Sequence, residues 1–400
     1  MSTSVKNERG PSTLCVHGKH EPAVAGRDPG LVPPIVRSAT FRMDDAGYAL
    51  RASGGAARGL CYTRENNPTV AALEARIAAL EGAERTLAFA SGQAALHALL
   101  MSTVRRDSRV VVFRQIYGGT VDLAKKLLPA LGAELAFVDA NDLAALERLA
   151  DGKLALVLCE SLSNPLNCVA DVPRVAELLA RKAPGAALGV DATLASPLGQ
   201  RPLALGATFV WHSATKYLGG HSDLIGGVLS GASARLDEAW FWRTKAGGCM
   251  DPEPAYLLDR GVRTLALRFE RQSASALELA LFLERHPKIE RVHHCGLARH
   301  PHQALARELL RATGGLFSLV VRGGDEAALR LIRALELFTE AASLGGVESL
   351  ASRPKDLSQT GLSAAERAQA GLVPGLVRLA VGIEDVADLR ADLARALDAL

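Results

Sequence analysis

Short, continuously apolar runs alternate along the first two thirds of the chain with longer segments whose apolar residues recur at helical spacing. The runs are 86–90, 109–113, 134–138, 154–159, 186–190, 207–211 and 224–230. A run that is apolar at every position suits a strand buried on both faces, and segments such as 119–131 and 172–181 read as helices between the strands. The spacing also predicts a helix over 70–80, with Pro68 near its first turn and Gly82 near its stop. The alternation predicts an α/β fold: a mostly parallel seven-stranded sheet wrapped by helices through right-handed crossovers.

The pattern differs at both ends. Residues 1–62 are broken by Pro11, Pro22, Pro29, Pro33 and Pro34, and a Gly/Ala stretch follows at 53–59, so no long helix is expected there. Such an arm is either disordered or ordered by a partner surface. After about residue 251 a long helix (265–285) leads into candidate strands 289–293, 316–321 and 377–381, mixed with helices 303–312, 326–335 and 386–400. That mixture suits a smaller α+β unit. The expected organisation is an N-terminal arm at 1–62, a large domain at 63–255 and a small C-terminal domain at 256–400.

Composition narrows the function classes. With 48% hydrophobic and 22% charged residues in 400, the chain has apolar mass for a full core, which excludes a disordered or fibrous protein. Lys and Arg number 46 against 43 Asp and Glu, with the signs interspersed. Nucleic acid is therefore not expected as a partner, since a binder gathers its basic residues into a patch. No apolar run approaches the ~18 residues of a membrane span, and residues 1–20 lack a secretory apolar core. The six cysteines show no CxxC spacing and read as free thiols in a reducing cytoplasm. The His293-His294-Cys295 triplet reads as a strand end or loop without metal, because neighbours on a strand point to opposite faces.

Candidate chemistry gathers where the runs end, the place where open α/β sheets bind ligands. The string from His212 to Asp223 follows the run at 207–211 and places Ser213, Thr215 and Lys216 within four residues, followed by Gly219-Gly220. Its hydroxyls suit a phosphate, and its lysine suits a Schiff base with a carbonyl; a polar loop with a solvated lysine is the plain alternative. Asp191 ends another run. It reads either as a turn-forming residue or as a carboxylate keeping a pyridinium nitrogen protonated. Ser91-Gly92-Gln93 opens a helix after the first run and offers N–H groups to an anion. Tyr117 beside Gly118-Gly119 either lies flat on a planar ring or packs in a turn.

Taken together, the Lys216 string, the Asp191 segment, Tyr117-Gly-Gly-Thr, the stretch from Glu160 to Pro165 and the stretch from Ser343 to Leu350 resemble the Cys/Met-metabolism family of pyridoxal phosphate (PLP) enzymes. This is the cystathionine-lyase and cystathionine-synthase group, of aspartate-aminotransferase-like fold type I, and the resemblance runs from about Tyr62 to the C-terminus. It implies that Lys216 holds PLP and later moves protons, that Asp191 pairs with the ring nitrogen, with Thr193 of the same segment beside the cofactor, and that Tyr117 stacks on the ring and assists as acid or base. It implies that Gly92, Gln93, Ser213 and Thr215 bind the phosphate. Asn164 would lie near the ring oxygen and the substrate carboxylate, which Arg378 clamps beside Ser343. Tyr62 and Arg64 resemble a segment that reaches into a neighbouring subunit and holds its phosphate, which implies a homotetramer of catalytic pairs.

The implied activity is a C–S lyase of the trans-sulfuration type, acting by β- or γ-elimination on cystathionine or a related sulfur amino acid. Its products would be a thiol, a 2-oxo acid and ammonia. The alternatives are γ-replacement on an O-activated homoserine, as in cystathionine γ-synthases and homoserine sulfhydrylases, and methionine γ-lysis. Ala342 stands where many cystathionine γ-enzymes carry Glu, and Gly119 stands where many methionine γ-lyases carry Cys. The 351–361 stretch and Cys295 also depart from the family pattern and point to an unusual substrate. A non-catalytic binding protein of this fold is disfavoured, because a pure binder needs neither Lys216 nor Asp191.

Overall fold

The computed structural model describes residues 9–18, 31–52, 59–357 and 364–400. Most of the Gly/Ala stretch at 53–59 and the end of the 351–361 segment fall outside them. Seven strands form the larger sheet: β1 (Arg85–Phe89), β2 (Arg109–Phe113), β3 (Glu134–Val138), β4 (Leu154–Glu160), β5 (Ala187–Asp191), β6 (Phe209–Ser213) and β7 (Gly227–Gly231). Their order is β1-β7-β6-β5-β4-β2-β3. In β4 and β5 nearly every residue is buried, because helices cover both faces, and this is why the sequence shows runs rather than alternation.

The sheet is mostly, but not strictly, parallel. Strands β2 to β6 pair in parallel, whereas β7 runs antiparallel to both β6 and β1. The physical reason lies in the connection. A parallel neighbour requires a crossover, usually a helix, but β6 and β7 are joined only by the turns of residues 214–226. That connection is the Lys216 string. It therefore stays at the carboxyl edge of the parallel strands and does not wrap over a sheet face.

A second sheet is built from β8 (Ile289–His293), β9 (Leu316–Val321), β10 (Thr339–Glu340), β11 (Leu350–Ser352) and β12 (Leu376–Ala380), in the order β10-β11-β12-β9-β8. Helices Leu265–Glu284, Gly324–Ala334 and Val386–Asp398 pack on it around a core including Phe317, Leu331 and Leu393. Part of the N-terminal arm docks on its own chain, which corrects the choice between disorder and a partner surface. The short helix Pro11–His17 buries Cys15 against the core, and the Arg76 guanidinium donates to the Val16 carbonyl at 2.6 Å while pairing with Asp259 at 2.5 Å.

Candidate active site

A cavity of about 340 Å³ opens at the carboxyl ends of β4, β5 and β6 and is closed on the far side by the small sheet. Its wall brings together Gly92, Gln93, Tyr117, Asn164, Asp191, Thr193, Ser213, Thr215, Lys216, Ser343 and Arg378, all of them candidates from the sequence. Tyr62 and Arg64 are not on this wall. Tyr62 is 40% exposed, and Arg64 lies 5.2 Å from the Tyr62 ring centroid while donating to the Thr244 carbonyl at 2.9 Å.

Lys216 is fixed by its own loop. The Gly220 N–H donates to the Lys216 carbonyl at 2.7 Å, the Gly219 N–H to the Ala214 carbonyl at 2.8 Å, and Arg268 donates to the Tyr217 carbonyl at 2.9 Å. Gly220 has φ +73° and presses on the Arg268 guanidinium, so no side chain fits there. The Lys216 amine donates to Ser343 Oγ at 2.7 Å. Burial, and then the charge of Arg378, lowers its pKa to about 8, so a useful fraction of the amine is unprotonated near neutral pH.

Ser343 is also held from its main chain, since Arg378 Nη2 donates to its carbonyl at 2.8 Å. Its φ of +88° is unusual for a residue with a side chain, and strain of that kind gathers at functional positions. Arg378 stands on β12, almost wholly buried, and burial lowers its pKa to about 10 while leaving it charged at neutral pH. Its Nε donor and the Asn164 Oδ1 acceptor are buried without a hydrogen-bond partner among the described residues. A buried donor and acceptor without partners suit a bound ligand that supplies them.

Asp191 is 8% exposed and accepts the Thr193 N–H at 2.9 Å. Burial raises its pKa, and no lysine or arginine offsets that among the described residues. A cationic ring nitrogen beside it would supply the missing charge. Thr193 does a second job, its hydroxyl accepting the Ser213 N–H at 2.8 Å, which ties β5 to β6 at the cavity floor. The Ser91 hydroxyl caps the Gly92–Thr103 helix by accepting the Ala94 N–H, so the first-turn N–H groups of Gly92 and Gln93 lack an intrahelical acceptor. A Cβ on Gly92 would meet Ser213 Cα at 2.9 Å, so only glycine brings this helix end so close to β6. Helix N–H groups and serine and threonine hydroxyls form an anion cradle, and they fit the phosphate of PLP. The Thr215 hydroxyl is already engaged with the backbone of Gly226, accepting its N–H at 3.1 Å.

Other lining residues have no role from the sequence: Ser91, Thr120, Glu160, Leu194, Trp211 and Leu344, with the exposed Ile225 and Leu357 toward the mouth. Glu160 ends β4 directly opposite Asp191 in the β4–β5 register. Its position after a buried run was the available signal. The His293-His294-Cys295 triplet lies away from the cavity: His294 Nδ1 accepts the Gly296 N–H at 3.0 Å, and Cys295 is buried.

Comparison with known proteins agrees with this geometry. Residues 12–398 match the Cys/Met metabolism PLP-dependent enzyme family. An L-methionine gamma-lyase of Pseudomonas putida is 40% identical over 390 residues, covering 97% of this chain and 97% of the relative. A cystathionine gamma-lyase of Bacillus subtilis (strain 168) is 38% identical over 389 residues, covering 96% and 98%. The crystal structure of a cystathionine gamma synthase from Xanthomonas oryzae pv. oryzae, in complex with aminoacrylate and cysteine, superposes with a TM-score of 0.90 at 33% identity, covering 98% of each chain.

Proposed function

Because the chain belongs to the Cys/Met metabolism PLP-dependent enzyme family, we propose that it is a carbon–sulfur lyase that eliminates a thiol from the β or γ carbon of cystathionine or a related sulfur amino acid. The single observation that carries this reading is the pairing of a buried, weakly basic Lys216 with Arg378 through Ser343 in one cavity. PLP, when bound, supplies a carbonyl that condenses with amines and an electron-poor ring that accepts the electrons of a deprotonated Cα. Asp191 would sit at the ring nitrogen, Tyr117 on the ring face, and Gly92, Gln93, Ser213 and Thr215 at the phosphate.

The chain's own residues then divide the work. Arg378 receives the substrate carboxylate in two-pronged geometry, and Asn164 offers its amide on the same side. That orientation leaves the Cα proton toward Lys216, whose amine removes it. For a γ-leaving group, the Lys216 amine first passes the Cα proton to the bound cofactor and, once neutral again, takes a proton from Cβ. Tyr117, 41% exposed at the cavity mouth, is placed to exchange a proton with the departing sulfur. Ser343 gives the Lys216 amine a resting partner between proton transfers. Leu194, Trp211 and Leu344 restrict water around the reacting carbons.

The organisation into an arm at 1–62, a large domain at 63–255 and a small domain at 256–400 is part of this proposal, supported by the two separate sheets. So is a homotetramer. Tyr62 and Arg64 lie off their own cavity wall, which suits residues that serve a neighbour's phosphate, and a holoenzyme sedimenting at the 42.1 kDa of one chain would contradict it. The six unpaired thiols support a reducing cytoplasm, and no described helix is long and apolar enough to cross a membrane.

The test is a panel of L-cystathionine, L-cystine and L-methionine with the PLP-loaded enzyme. It should release keto acid, ammonia and thiol in equal amounts from at least one of them. Absence of keto acid from all three, with an O-acylhomoserine consumed only when cysteine or sulfide is supplied, would turn the assignment to γ-replacement.

A further inference from the structure

Glu160 is a buried titratable group with no part in the mechanism above. It is 4% exposed, lies on the cavity wall and faces Asp191 across the β4–β5 pair. A carboxylate buried beside another carboxylate is costly, and burial followed by the Asp191 charge pushes its pKa well up. Its two oxygens are spent in an unusual way. Oε1 accepts the backbone N–H of Tyr117 at 2.6 Å, and Oε2 accepts the backbone N–H of Asn164 at 3.0 Å. Tyr117 opens the Gly118–Ala130 helix after β2, and Asn164 lies in the loop after β4. One side chain thus fastens two separate loops, and each loop presents a cavity-lining residue.

We propose that Glu160 is a positioning residue: by gripping both backbones it sets the angle at which Tyr117 covers the cofactor ring and the reach of the Asn164 amide toward it. This rests on the reading that the cavity holds PLP. The chemistry of the grip requires a carboxylate. Both oxygens accept a backbone N–H, and these two bonds favour the ionised form against the burial that raises its pKa. An ionised carboxylate only accepts hydrogen bonds, whereas a carboxamide has one accepting oxygen and one donating NH₂. In Glu160→Gln either orientation turns the NH₂ against one of the two N–H donors, so one loop is released although size and shape are kept. Asn164 Oδ1 has no hydrogen-bond partner among the described residues, so the amide's aim depends on its backbone, which Glu160 holds at the N–H while Ser163 and Pro165 are held by other bonds.

The experiment compares wild-type and E160Q full-length enzyme in three ways: PLP affinity by fluorescence titration of the apo chain, visible circular dichroism per bound cofactor, and apo melting temperature. The loss of one hydrogen bond to a charged group predicts PLP affinity weakened by about tenfold or more. It also predicts a visible dichroism band that is reduced or shifted as the ring tilts. The apo melting temperature should change little, because removing a buried charge beside Asp191 offsets the hydrogen bond that is lost. Wild-type dichroism with affinity within about twofold would overturn the proposal, and so would an affinity loss matched by apo destabilisation with normal dichroism. If E160Q does not fold, Glu160→Asp is read in the same way, since it keeps two acceptors but on a stem too short to reach both loops. Failure of the wild-type chain to bind PLP would sink the functional reading itself, and that result appears in a different arm.

Discussion

Lys216→Ala should lower turnover of every accepted substrate by at least about 10³-fold, because on the proposed reading one amine both anchors the cofactor and moves the Cα proton, and a positioned acid–base group alone contributes about 10²–10⁴-fold. The fold should not suffer. Among the described residues the amine's hydrogen-bond partner is Ser343 Oγ, and burial lowers its pKa to about 8 from the ordinary lysine value. The sign follows from that direction. A lysine whose folded pKa is depressed makes the folded state bind fewer protons than the unfolded one, so its burial costs stability below that pKa. The apo variant should therefore melt at or above the wild-type temperature at pH 7. Scanning calorimetry checks the fold and steady-state kinetics the activity; retention of more than about a tenth of wild-type turnover would remove Lys216 from the centre of the reaction.

Asp191→Asn separates charge from shape. The amide oxygen can still accept the Thr193 N–H that Asp191 accepts at 2.9 Å, so the β5 end should keep its geometry. What is lost is the negative charge proposed to face the ring nitrogen. Breaking a buried ion pair costs about 3–5 kcal/mol, which as a barrier corresponds to about 10²–10⁴-fold in kcat. The apo chain should behave in the opposite sense. Burial raises the Asp191 pKa, so the charged form opposes folding at neutral pH, and the variant should melt higher than wild type without cofactor. A variant within about fivefold of wild-type kcat would mean that the ring nitrogen needs no anionic partner here.

Much of this site could be read before the structure because its parts sit at the ends of apolar runs. Strands β2, β3, β8 and β9 begin and end where the pattern placed them, since each run is followed by a polar residue. Strands β10 and β11 span two and three residues, too few for any periodicity, and their pairing comes from tertiary packing. The Ser233–Ala246 helix escaped notice because it buries Arg243 and Thr244 along with apolar residues, which blurs its face. Pro252–Arg263 carried a readable start in Asp251, which caps Glu253, followed by Pro252. Glu160 illustrates a different limit. Its residue type and its place after a run were visible, but that it faces Asp191 and holds the Tyr117 and Asn164 backbones depends on strand register and loop approach. That Tyr62 and Arg64 lie off their own chain's cavity is implied by the resemblance and not by the local pattern, because it depends on how the arm crosses the surface.

The central claim is that Lys216 is the residue that takes the cofactor. It is tested most directly by reducing the PLP-loaded enzyme with borohydride, digesting it and locating the pyridoxyl group by mass spectrometry. The group is predicted on the peptide containing Lys216, at one per chain. A label on another lysine with Lys216 unmodified, or no label on a chain that binds PLP, would contradict the account.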